Sequence, residues 1–237
     1  MAKKKSENGG IGFLFIILIV LITPIVLIIG YFYNSSKFNE IKKLLTGKMS
    51  DFWLDTDEKN DFKEKYAQLN EVKQIIQNAN DEGVNAGLSL NKDGSFSARS
   101  NKGKEIRAIL TKYQPMKISL TNYLVDMQYV PINRWTVYNN YLRNSISFRW
   151  AFISWIVSLI VSSTIVSGNV FYAYWSLLSN IFNENKIKVA ESDLNALIIV
   201  TGISIVIYFI FKFILKNVGE KYTPKPEVVT LNNVDSY

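Results

Sequence analysis

The sequence predicts an all-α integral membrane protein, with three transmembrane helices and a mostly helical extramembrane domain carrying a small β-hairpin. Three observations predict it. Apolar blocks occupy 11–33, 148–182 and 194–216, each long enough for a hydrocarbon core of about 30 Å. Between the first two lies a polar segment, 34–147, whose apolar residues recur every three or four positions. Lys and Arg crowd the ends of the blocks, as they do at membrane boundaries.

Composition narrows the chemistry. The chain has 237 residues, 48% of them hydrophobic and 20% charged. Those averages look globular only because the apolar residues are concentrated in blocks. Net charge is +7 and the pI is near 9.3. A basic balance suits either nucleic acid or an anionic membrane surface, and the placement of the Lys residues favours the membrane. There is no Cys, which excludes disulfides, thiolate catalysis and Cys-ligated metals. There is no His either, which removes the commonest general base and transition-metal ligand.

A polar N-terminal tail, 1–10, precedes the first transmembrane helix, 11–33. That block carries no charge, and Pro24 is expected to kink it. It is too long for a signal h-region and no small-x-small cleavage site follows, so it reads as an uncleaved anchor. Tyr31, Phe32 and Tyr33 form an interfacial belt.

In the extramembrane domain, Phe38, Ile41, Leu45, Met49 and Phe52 mark one helix, which can continue out of the first span. Phe62, Tyr66, Leu69 and Ile76 mark a second, started by Asp55 or Thr56. Over about 86–99, Leu88 and Leu90, then Phe96 and Ala98, alternate with polar residues around Asn91-Lys92-Asp93-Gly94. This is hairpin chemistry, with a structured loop as the alternative. Helical spacing then resumes, with interruptions expected at Pro115 and Pro131. Trp135, Tyr138, Leu142 and Ile146 line a face leading into the second span.

That second span, 148–182, is unusually long. Trp150 and Trp175 stand 25 residues apart, roughly 37 Å along a helix, which suits two aromatic belts on a tilted span. A short loop, 183–193, leads to the third span, 194–216, where Lys212 can snorkel to the headgroups. The last segment, 217–237, with Pro224 and Pro226, reads as a flexible tail.

Orientation follows from the flanking cations. Lys37, Lys42, Lys43, Lys48, Arg134, Arg143, Arg149, Lys212, Lys216, Lys221 and Lys225 share one side, eleven against the five of Lys3, Lys4, Lys5, Lys186 and Lys188. The count places the large segment in the cytoplasm. The Lys3–Lys5 cluster beside the first span pulls the other way.

No catalytic, cofactor-binding or metal constellation is expected. Asp55, Asp57 and Asp61 have a Lys at a required calcium-ligand position, and no Gly or terminal Glu follows at the right spacing. Neither nucleotide fingerprint occurs. The basic residues between Lys92 and Lys112 read as a solvated face, so no nucleic acid is expected. The chain therefore reads as non-enzymatic.

The spans are more informative. None has a central acid, which an autonomous ion-coupled carrier usually needs. Ser154, Ser158 and Ser162 form a row at helical spacing, continued by Ser163, Thr164, Ser167 and Gly168. The third span adds Ala196, Thr201, Gly202 and Ser204. Small and hydroxyl residues of this kind serve helix packing, or line a polar pathway completed by another subunit.

Gly168-Asn169-Val170, and the stretch VAESDLNALIIVTG from Val189 to Gly202, are similar to strings of the ExbB/TolQ/MotA family of proton-channel stators. The three-span layout also resembles that family. Glu191-Ser192 stands where the family has Pro-Gly, Thr201 is one position off its third-span Thr, and Thr164 departs from its second-span spacing. The resemblance covers residues 168–204. It implies an oligomer around partner helices, with the partner supplying the titrating carboxylate.

The expectation is thus a multi-pass subunit of an envelope assembly in the bacterial cytoplasmic (inner) membrane. Its partners would be membrane lipid, other membrane-protein subunits and further copies of itself. A stator-like ion-conducting subunit is the alternative.

Overall fold

The computed structural model describes residues 7–165, 169–182 and 187–237. Among these residues six helices follow in order: α1 (Glu7–Lys42), α2 (Met49–Phe52), α3 (Thr56–Asn85), α4 (Asn101–Ile165), α5 (Val170–Phe182) and α6 (Glu191–Tyr222). No strand occurs among the described residues. Among the described residues, three helices are long and apolar enough to cross a membrane: α1, the apolar end of α4, and α6. The chain divides into two compact units, one of 1–47 with 136–224 and one of 48–135 with 225–237.

The second unit is built on the α3 stripe. Phe62, Leu69, Val72, Ile76 and Ala79 recur at helical spacing and are buried. They meet Ile106, Leu110, Leu120 and Leu124 of α4, and Trp53 and Leu54 just before α3. Asp55 caps α3: it accepts from the Glu58 N–H at 2.9 Å, and Glu58 reaches back to the Asp55 N–H at 2.9 Å.

Two expectations for this unit are corrected. The segment 86–99 is not a β-hairpin; it holds one isolated antiparallel bridge, Leu90 to Phe96. The turn itself forms, with Gly94 at φ +77° and its N–H donating to the Asn91 carbonyl at 3.0 Å. Phe96 reaches the core, but Leu90 is 62% exposed. A two-stranded ribbon without a buried face does not hold itself together. Nor do the prolines interrupt α4, which runs through Pro115 and Pro131 as one 65-residue helix. An interior proline costs about 3 kcal/mol. The burial of Leu110, Leu120, Leu124 and Trp135 along one face offsets it.

The flexible-tail expectation for 217–237 is also corrected, from Lys225 onward. Val229 and Val234 are fully buried in the α3/α4 core. The Val229 N–H donates to the Gln128 carbonyl at 3.1 Å, and the Trp53 indole donates to the Val234 carbonyl at 3.0 Å. Lys63 pairs with Asp235 at 2.7 Å, and the Tyr237 ring packs on Trp53 at 5.0 Å. Residues 48–135 and 225–237 thus fold together. Both must lie on the same side of any bilayer that α4 and α6 cross.

The first unit gathers four helices. Val20 and Leu27 of α1, Ala151, Trp155 and Leu159 of α4, Val170 and Ala173 of α5, and Leu197 and Val200 of α6 share one core. Aromatic pairs run along the helices: Phe38 with Tyr138 at 5.4 Å, Phe148 with Tyr208 at 4.7 Å, and Trp150 stacked on Phe211 at 5.6 Å. The helix expected over 38–52 is broken instead. α1 stops at Lys42, and Gly47 takes φ +92°, a conformation that side chains disfavour.

The second apolar block is not one long helix, contrary to expectation. α4 ends at Ile165 and α5 begins afresh at Val170. Asn169 starts it, its side chain accepting from the Tyr172 N–H at 3.0 Å. In a continuous helix Tyr174 would stand roughly 28 Å from Trp155. Their rings are 5.4 Å apart, so α5 folds back onto the other three. At 13 residues, or about 20 Å, it is too short to cross.

Candidate functional site

The hydroxyl and small residues of the apolar helices fall into three environments. Thr201 is 2% exposed and Ser204 fully buried, both on the inner face of α6. The Ser204 hydroxyl donates to the Val200 carbonyl one turn back, at 3.0 Å. The Thr201 hydroxyl has no partner among the described residues.

Gly202 faces the other way. It is exposed, and a Cβ built on it would meet nothing within 4 Å. Around it Ile199, Ile203 and Val206 present an exposed apolar surface. Ser154, Ser158 and Ser162 are half-buried, and Ser162 donates to the Leu159 carbonyl at 3.1 Å. The α4 row therefore flanks the buried stripe of Ala151, Trp155 and Leu159. The side chains of Ser163 and Thr164, and residues Ser167 and Gly168, lie outside the described residues.

Other interior polar groups escaped the sequence reading. Ser147 of α4 and Ser176 of α5 are fully buried, and their hydroxyls have no partner among the described residues. The indole N–H of Trp155 is likewise buried and unpaired among the described residues. Each unpaired group costs about 1–3 kcal/mol in a buried setting. Following the α4 face back from Trp155 in steps of four, through Ala151, leads to Ser147. Ser176 could not be placed this way, because a continuous second span puts it elsewhere. The Tyr174 hydroxyl donates to the Leu21 carbonyl at 3.3 Å, fixing α5 against the middle of α1.

A polar node organises the second unit. Arg134 donates to both carboxylate oxygens of Glu58, at 2.6 and 3.1 Å, and to the Trp53 carbonyl at 2.7 Å. It binds α4 to the start of α3 beside the docked C-terminal segment. Lys59 donates to the Tyr237 carbonyl, and the Tyr123 hydroxyl donates to Asp61. Those last contacts engage Asp61, and Asp55 is spent on capping. Among the described residues, no group of three or more His, Cys, Asp or Glu is placed to hold a metal ion.

The chain offers two built features: an apolar four-helix core containing unpaired hydroxyls, and a helical unit closed by its own C-terminal segment. No family model, curated protein or solved structure matches this chain.

Proposed function

We propose that this chain is a non-enzymatic membrane subunit of a multi-protein envelope assembly, packing against partner helices through the end of α4 and α6. One observation carries the reading. The outer face of α6 around Gly202 is apolar and carries an open notch, the surface that lets another helix approach closely. The second unit suits a docking role, since three chain connections join it to the apolar helices and its C-terminal segment closes its core. The cation count favours the cytoplasmic side for that unit. We assign the whole to a bacterial cytoplasmic membrane.

The absence of Cys makes the test clean. Gly202→Cys and Val206→Cys chains are oxidised in native membranes, with Leu197→Cys, on the buried face, as control. Cross-linking to a second copy or another membrane protein is expected for the first two only. A monodisperse monomer in mild detergent, with no cross-link from either position, refutes the reading.

A second reading is supported by the unpaired hydroxyls of Thr201 and Ser176. Polar groups left open inside apolar helices suit a water or ion path completed by a partner's carboxylate, as in a stator-like subunit. Thr201→Val keeps the shape and removes the hydroxyl. Ion flux abolished with assembly intact supports this reading, and unchanged flux sinks it.

A further inference from the structure

A cavity of about 360 Å³ opens on the surface of the apolar helices, lined by Leu18, Ile22 and Val26 of α1, Phe148 of α4, and Ile205 and Tyr208 of α6. Of its two hydroxyl-bearing wall residues, Thr23 spends its hydroxyl on the Ile19 carbonyl at 2.7 Å. The interior is therefore wholly apolar apart from the Tyr208 hydroxyl at one end. The α1 wall runs from Leu18 to Leu27, about 13 Å along the helix. That is close to half of a hydrocarbon core roughly 30 Å thick.

The Tyr208 end carries charge. The Lys212 ammonium lies 3.4 Å from the Tyr208 hydroxyl and 5.4 Å from the centre of its ring. Lys216 follows one turn on. No acidic residue occurs in α4 after Asp126, in α1 between Glu7 and Glu40, or in α6 between Asp193 and Glu220. Lys212 has no carboxylate partner among the described residues, and stands one turn inside the end of the expected 194–216 span, within snorkelling reach of headgroups.

An apolar slot that reaches the middle of the α1 and α6 spans, with a cation lacking a carboxylate partner one turn beyond its Tyr208 end, matches one ligand class. We propose that this groove binds an anionic glycerophospholipid, with one acyl chain against Ile22, Phe148 and Ile205 and the phosphate on Lys212. A transmembrane helix fits less well. It would cover the slot with one face only, and would meet the Lys212 ammonium only if it carried an anion at that level. The proposal needs α1, α4 and α6 to lie in a bilayer, and is independent of any protein partner.

The test uses the full chain in mild detergent. Phosphatidylglycerol and phosphatidylcholine with identical acyl chains are titrated in, and bound lipid is counted by native mass spectrometry. One tightly held phosphatidylglycerol is expected, preferred over phosphatidylcholine by about fivefold or more, the contribution of one Lys near a charged headgroup. Lys212→Gln should bring the two lipids within twofold of each other, while Lys212→Arg keeps the preference. Ile22→Trp fills the groove and should release both lipids; Val26→Phe serves if that variant does not fold. Equal retention of both lipids by the unmodified chain overturns the proposal, as does a preference that survives Lys212→Gln. Undiminished binding in the filled groove does so too.

Discussion

Truncating the valines that anchor the C-terminal segment tests the closure of the second unit. Val229 and Val234 are both fully buried. Changing either to Ala deletes two carbons, worth about 0.8 kcal/mol each in transfer alone, or roughly 1.6 kcal/mol per site. Unfilled space adds to that. Since 1.4 kcal/mol is a factor of ten, each single variant should raise the undocked population of 225–237 by about 15-fold. The double variant should raise it by about 200-fold if the two losses add. Trp53 reports the same event, because its indole donates to the Val234 carbonyl. Hydrogen exchange of the Trp53 indole N–H and the Val229 amide, measured on the full chain, reads the population directly. Exchange within twofold of the unmodified chain in both single variants would refute the docked segment as an energetic part of the core.

Other outcomes follow from the same contacts. Gly83→Ala should destabilise the chain by about 1–3 kcal/mol in a thermal melt, since the new Cβ falls 2.6 Å from the buried Phe96 ring; helix propensity alone predicts a gain, so the sign is decisive. Arg134→Met should cost about 2 kcal/mol in urea unfolding, because it leaves Glu58 and the Trp53 carbonyl without their charged donor. The Ser95 hydroxyl, then its main-chain N–H, hold the Asp93 carboxylate below its ordinary range. The support these bonds give the 91–96 turn is full above the ordinary Asp value and lost as pH falls through the lowered one. The Ser95 amide shift in an NMR titration should follow that lowered value, and an ordinary Asp midpoint would contradict it.

Much of the architecture was legible because it depends on composition and period. The three apolar blocks set the three long apolar helices, and the α3 stripe from Phe62 to Ile76 set its buried face. Asp55 was one of two residues that could start α3, and it is the one that caps it. The errors share a different origin. Pro115 and Pro131 carry a local signal to stop, but a stripe of buried residues from Leu110 to Trp135 outweighs it. Alternation around Asn91-Gly94 is a local signal for strands, and it fails because Phe96 is buried and Leu88 half-buried against the core while Leu90 stays exposed.

The same division runs through the candidate site. Thr201, Ser204 and Gly202 were singled out as small or hydroxyl residues, but which face each occupies required the packed helix. Thr201 and Ser204 point inward and Gly202 outward. Ser176 depends on α5 folding back, which rests on Asn169 capping a new helix and on Tyr174 reaching Leu21.

The sequence by itself determined that this chain has three helices fit for a bilayer and a helical polar segment, because hydrophobic length and 3.6-residue periodicity are properties of the chain alone. Only the tertiary structure decided that α5 turns back and that α4 ignores its prolines. It also decided that residues 225–237 complete a core beginning more than 170 residues earlier at Trp53. Each of those outcomes compares a local backbone preference of a few kcal/mol with burial against residues distant in sequence, and that burial exists only once the helices have packed.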